Sequence, residues 1–187
     1  MSEIPLNSEQ SPDSKPPREN LFSAEDFFAI LREKNWLAGD ATEKQSAWCT
    51  RAAALLGPQA SDLPALAALL ELIFHYDASA ILQKTDAHVV MSRYAARDVL
   101  RQLALLLLDA TELTTERFRE IIDELKSGLD IRGRELFYPL RLALAGRSGD
   151  GELDRVILLL DEASAAQFAV PVKTARERIL EFCSVLE

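Results

Sequence analysis

Residues 133–146 read G-R-E-L-F-Y-P-L-R-L-A-L-A-G, an apolar helical segment with Pro139 in its middle and Arg141 set directly behind a Pro-Leu pair. Proline has no N–H and clashes with the carbonyl four residues earlier, so a kink or a restart is predicted at Pro139. Helices in small bundles also kink around a neighbour, which would make such a break a packing feature. Beyond it, Gly146 to Gly151 (G-R-S-G-D-G) reads as a mobile loop, too irregular for a phosphate-binding fingerprint.

Working outward, the apolar positions keep helical spacing. Phe118, Ile121, Ile122 and Leu125 follow the start signal Thr114-Thr115-Glu116, with Gly128 as the expected stop. Val89, Ala96, Leu100, Leu103 and Leu107 recur at seven, four, three and four, which predicts one long amphipathic helix over 88–108. A short helix is expected around Ala78 to Gln83. Ser61 or Asp62 caps the helix before it, with Pro64 in its first turn and Leu63, Leu66, Leu70 and Phe74 on one stripe. Thr42 caps a helix through Trp48 and Leu55 that Gly57-Pro58 ends, and Ser23, with Asp26 three residues on, opens a first helix running to about Asn35. At the other end, Pro171 to Leu186 predicts a closing helix with Val172, Ala175, Ile179, Phe182 and Val185 or Leu186 on one side, packed on the bundle or forming a homodimer. No segment alternates like a strand. The predicted fold is all-α, in two packed helical-bundle subdomains, 22–86 and 87–187, with the boundary near Lys84 to His88. Residues 1–20 concentrate Pro, Ser and charge and predict a disordered tail.

The chain has 187 residues, 48% of them hydrophobic, and a formal charge of −9. That charge opposes a sequence-independent grip on a polyanion, which comes mostly from Lys and Arg neutralising phosphates. Its distribution is uneven. Residues 1–87 hold 7 basic and 13 acidic side chains, whereas 131–160 hold five arginines, Arg132, Arg134, Arg141, Arg147 and Arg155, against four acids. Arginine suits planar hydrogen bonding and stacking on bases; the same residues also fit a solvated helix face with ordinary charge pairs. Cys49 and Cys183 are too few and too far apart for a zinc site or a disulfide framework, and both read as buried thiols. The acidic N-terminus is no secretory signal, and the longest apolar run, Leu103 to Leu108, is far below a membrane span. A cytoplasmic protein is expected. Glu120, Asp123 and Glu124 lie on the polar face of a helix, so solvation is read there and not acid–base chemistry. Trp36 and Trp48 are expected as core or edge anchors, His75 and Tyr76 as a packed aromatic end. No nucleophile, base and orienter assemble from spacing, and no catalytic residue, metal or cofactor is expected.

The run from Gly133 to Gly146 resembles the G-x-x-L-F-x-P-L-R-x-A-L-T-G block near the C-terminus of bacterial glutamyl-tRNA synthetases, in their anticodon-binding region. Leu21 to Leu56 is similar to the helices that open that region, and Ser61 to Leu82 (S-D-L-P-A-L-A-A-L-L-E-L-I-F-H-Y-D-A-S-A-I-L) to the family's D-L-P-E-L segment. The His-rich signature and the lysine-serine loop of the catalytic domain have no counterpart in the sequence. The resemblance implies the recognition half of such an enzyme: no catalysis alone, with tRNA, above all tRNA-Glu, or a separate synthetase catalytic partner as the expected partner.

By position in the motif the resemblance implies that Arg141 is presented to RNA, and that Asp150, Gly151 and Leu153 stand where the family contacts the neighbouring anticodon base. Arg132, Arg134 and Arg147 would add electrostatic support. The sequence departs from the family at Ala145 for Thr and at Gly151 for a loop Pro. A Gly-Lys-Glu turn and basic last helix are replaced by Asp161-Glu162-Ala163-Ser164 and an inserted-looking A-A-Q-F-A-V-P-V. The alternative is a helical protein-interaction module that kept the fold and lost RNA affinity, favoured by the −9 charge. A third reading, a fragment of a complete synthetase, is weighed against by Met1 and the tail-like start.

Overall fold

A computed structural model describes residues 19–109 and 111–186. The tail expected over 1–20 lies outside the described residues except for its last two. Of these, Asn20 is docked: its Nδ2 donates to the Ala53 carbonyl at 2.9 Å, and its amide rests on Gly57, where a Cβ would stand 2.0 Å from Asn20 Oδ1. A side chain at position 57 would displace the Asn20 amide from this place.

The described residues form helices α1 (Ala24–Glu33), α2 (Glu43–Leu56), α3 (Leu63–Phe74), α4 (Ala78–Leu82), α5 (Thr85–Met91), α6 (Ala96–Leu107), α7 (Thr115–Leu129), α8 (Arg134–Ala145), α9 (Glu152–Ile157), α10 (Leu160–Ala166) and α11 (Ala175–Leu186), with a 3-10 turn at Gly57–Gln59. No strand occurs among them, and the fold is all-α. Local chemistry sets most of the starts. Thr42 Oγ1 accepts from the Gln45 N–H while Gln45 Oε1 accepts from the Thr42 N–H, and the Asp62 and Thr114 side chains accept from the N–H groups of Ala65 and Arg117.

Four expectations are corrected. Residues 88–108 are two helices: the chain turns at Ser92–Ala95, where Ser92 Oγ donates to the Val89 carbonyl, a local bond that competes with helix continuation. Val89, placed on the apolar stripe, is exposed, as is Leu63 at the first position of α3. Helix α7 runs through Gly128 to Leu129 and stops at Asp130 in the left-handed region, φ 51°. At Pro139 the chain does not restart: α8 continues through it, and the missing N–H leaves the Glu135 carbonyl without its donor four residues on.

One contiguous apolar core runs through the described residues. The boundary expected near Lys84 to His88 falls in and around α5, and buried side chains on both sides of it belong to the same cluster. Helix α3 packs on α9, α2 on α9 and α10, and α4 on α11, while α6 and α8 lie against each other and against α11. At the centre Trp36 stacks on Phe74 at 4.5 Å between ring centroids, and Trp48 and Phe168 meet Phe74 edge-on. Within this group Trp48 Nε1 donates to the Leu159 carbonyl at 3.0 Å. Tyr76 is packed as expected, whereas His75 next to it is exposed. Cys49 is buried and Cys183 half-buried.

Candidate nucleic-acid interface

Arg141 lies on α8 one turn after Phe137, and its guanidinium carbon stands 4.6 Å from that ring's centre. Helix α9 brings Asp154 against it. Arg141 Nε and Nη2 donate to the two Asp154 carboxylate oxygens at 2.7 and 2.8 Å, and Nη1 donates to the Gly149 carbonyl at 2.7 Å. The residue is only 9% exposed. Three of its five N–H groups are used inside the protein, and a bidentate base contact would have to displace the Asp154 pair. In this geometry the arginine ties the α8–α9 loop to both helices that flank it.

The other loop residues divide by burial. Leu153 is wholly buried and supports the loop from below, its Cδ1 standing 3.0 Å from where a Cβ on Gly149 would be. Asp150 and Gly151 are exposed at the tip. Gly146 closes α8 at φ 86°, and a Cβ there would meet Ile81 at 3.3 Å. The Gly149 carbonyl, bonded by Arg141, and the buried Leu153 tie this loop to the helices on either side.

Beside it lies a groove of about 210 Å³ lined by Gln59, Ala65, Ala68, Leu69, Arg147 and Glu152. Arg147 is half-exposed, with Nη2 3.7 Å from Glu152 Oε1, and is the groove's only cation. Of the supporting arginines, Arg132 is exposed, and Arg134 is exposed with its guanidinium 5.8 Å from the Tyr138 ring centre. The structure therefore gathers Arg141, Gly149, Asp150, Gly151 and Leu153 into one loop, sets Arg147 at its edge, and leaves Arg132 and Arg134 at the far end of α8. Gln59, Ala65, Ala68 and Leu69 had no signal in the sequence, since the α3 start reaches the loop only through tertiary packing.

The acidic stretch Asp161-Glu162-Ala163-Ser164 has a structural use. Asp161 accepts from the Leu113 N–H and the Ala175 N–H at 2.8 and 2.9 Å, anchoring the start of α11, and Glu162 pairs with Arg51. Burial raises the Glu162 carboxyl above its ordinary range, with Arg51 opposing. The inserted-looking segment supplies Phe168 to the aromatic core; Gln45 Nε2 donates to the Gln167 carbonyl at 3.1 Å and the Ala169 N–H to Trp36 at 2.8 Å.

Arg178 was not singled out in the sequence, yet it is the most deeply buried charge among the described residues, at 0% exposure. Its guanidinium donates to the carbonyls of Leu72 and Ile73 at the end of α3, Leu144 at the end of α8, and Lys173. It also lies 4.6 Å from the Tyr76 ring centre. A cation among the negative ends of two helices is favourable. Burial nonetheless pulls its pKa from the ordinary 12.5 down to about 10. No group of three or more His, Cys, Asp and Glu is placed to hold a metal among the described residues, and no helix there is long and apolar enough to cross a membrane.

Comparison with known proteins places this geometry. The family model of the anticodon binding domain matches residues 24–165. The glutamate–tRNA ligase 2 of Syntrophus aciditrophicus (strain SB) is 25% identical over 134 residues, 68% of this chain and 26% of that protein. The glutamate–tRNA ligase of Carboxydothermus hydrogenoformans is 31% identical over 108 residues, 56% of this chain and 21% of that protein. The chain thus spans about a quarter of the length of the curated relatives it matches. No solved structure matches it.

Proposed function

We propose, from the premise that this chain belongs to the anticodon-binding domain family, that it is a tRNA-binding module without catalytic activity of its own, working in the cytoplasm beside a separate synthetase. The likeness to two glutamate–tRNA ligases makes tRNA-Glu the first candidate. The observation that carries the reading is the clamped α8–α9 loop beside a groove edged by Arg147. A loop already ordered by Arg141 and Asp154 pays little conformational entropy when an unpaired base enters beside it. Arg147, Asp150 and Gly151 are the accessible contacts, Leu153 supports them from beneath, and Arg132 and Arg134 add attraction for phosphates. Arg141 acts by positioning the loop.

Filter binding with total tRNA at low and moderate salt tests this, with Asp154→Asn as the informative variant. Removing a negative charge next to a direct RNA contact should strengthen binding; removing a partner of the loop clamp should weaken it. We expect Asp154→Asn and Arg141→Ala to lose affinity to a similar extent, and the double variant little more than either. Glutamate-dependent pyrophosphate exchange should stay at background.

The second reading, a helical protein-interaction module, is favoured by the −9 charge and by the commitment of Arg141 to the interior. A parent chain that fails to bind tRNA at low salt would overturn the first reading in its favour. Association through α11, which leaves Leu180 and Val185 exposed, would then be the first contact to examine by sedimentation.

A further inference from the structure

The turn between α5 and α6 carries a side chain that the fold does not use. Tyr94 is 99% exposed, the most exposed of the large apolar side chains described. Its neighbour Arg93 reaches across to α8, where it pairs with Glu135 and holds its guanidinium 5.5 Å from the Tyr138 ring centre. Arg134 approaches the same ring at 5.8 Å. Arg97, at the start of α6, and Arg132, before α8, are exposed and have no partner among the described residues. Residues 93–101 and 132–138 together carry five arginines against two carboxylates, in a chain of net charge −9. A full-length exposed tyrosine has no folding advantage, and a local excess of arginine in an acidic chain marks a surface that attracts anions.

Arg134, Tyr138 and Arg141 follow one face of α8, seven residues and about 10 Å from end to end. The stripe joins the α5–α6 turn to the clamped loop, a span of the order of two nucleotides. We propose that Tyr94, Arg93, Arg97, Arg134 and Tyr138 form a second RNA contact, a platform on which unpaired bases stack while the arginines take the phosphates. The identification of the strand as RNA rests on the tRNA-binding reading above. The chemistry favours a single strand: an exposed ring flanked by guanidiniums matches alternating base faces and phosphates, whereas paired bases present no face to stack on. An acidic peptide would use the arginines and leave Tyr94 without a role.

A labelled oligouridylate, followed by fluorescence anisotropy at several salt concentrations, tests the platform with the full chain. Tyr94→Ala should weaken binding on the order of tenfold with little change in salt dependence, and Tyr94→Phe should retain it. Arg97→Gln should lower the slope of log K against log salt by about 0.7. Tyr94 and Arg97 are exposed, so folding is not at stake, and circular dichroism verifies it. Arg176→Gln, an exposed arginine on α11, is the control. A parent that does not bind oligouridylate, variants at Tyr94 and Arg97 that bind like the parent, or a control that loses as much as Arg97→Gln would each overturn the platform; equal loss for Tyr94→Phe and Tyr94→Ala would do the same. The two readings separate because tRNA binding that depends on Asp154 but not on Tyr94 leaves the module standing without this surface. Oligouridylate binding through Tyr94 without tRNA binding gives the reverse.

Discussion

Arg141 and Arg178 both sit on helices, and both carry their charge into the interior, with different partners. Arg141 meets a carboxylate; Arg178 meets only carbonyl oxygens and an aromatic face. Removing Arg178 strips bonds from four carbonyls at once, those of Ile73 and Leu144 buried, so Arg178→Met should destabilise the chain by on the order of 3 kcal/mol, measured by urea unfolding at neutral pH. A change under about 1 kcal/mol would show that water satisfies those carbonyls. Tyr76, beneath this arginine, donates its hydroxyl to the Ala143 carbonyl at 2.5 Å, and burial holds the phenol well above the ordinary tyrosine range, with Arg178 opposing. The folded chain therefore keeps the phenolic proton more tightly than the unfolded chain, and this contribution to stability, full below the unfolded pKa of about 10, is lost as pH rises toward the folded value. Arg178, its pKa depressed, works in the opposite sense in the same window. Tyr76→Phe isolates the tyrosine: it should cost about 1 kcal/mol at neutral pH, and the gap from the parent should narrow in alkaline unfolding titrations.

Among the elements, the segment between α10 and α11 connects the parts of the fold that are most distant in sequence. Phe168 meets Trp48 at 5.1 Å and Phe74 at 5.2 Å, and the flanking backbone bonds to Gln45 and Trp36. A stretch that departs from the family pattern is thus part of the core. Phe168→Ala should lose about 3 kcal/mol and loosen α1 and α2, which hydrogen exchange would register as faster exchange in residues 24–56. Unchanged protection there would refute the role assigned to this segment. The neighbouring α8–α9 loop is held by side chains on α8 and α9, so exchange at 147–151 should rise in Asp154→Asn while the α2 amides keep their protection.

For the whole molecule, the continuous core predicts one cooperative transition. Helices from both sides of α5 share buried side chains, and Arg178 joins the ends of α3 and α8. Calorimetry should give a calorimetric enthalpy equal to the van't Hoff enthalpy. Two separable transitions would assign the halves 22–86 and 87–187 independent stability.

The sequence by itself determined the all-α class and several helix starts, because helical spacing and capping residues act within a few residues of the chain, whereas α9 and α10 were not read from it. Thr42, Asp62, Thr114 and Gly146 sit where local chemistry alone would put them. The family too was legible, in the Pro-Leu-Arg block. Helix continuity was not: Ser92 breaks and Pro139 does not, since each outcome depends on bonds and packing outside the apolar period. The environment of each arginine was decided only by the tertiary structure. Arg141, Arg147 and Arg178 are indistinguishable as letters, and become a clamp, a groove edge and a buried cap because Asp154, the start of α3, and the ends of α3 and α8 are brought to them by long-range burial of apolar surface, for which no local signal exists.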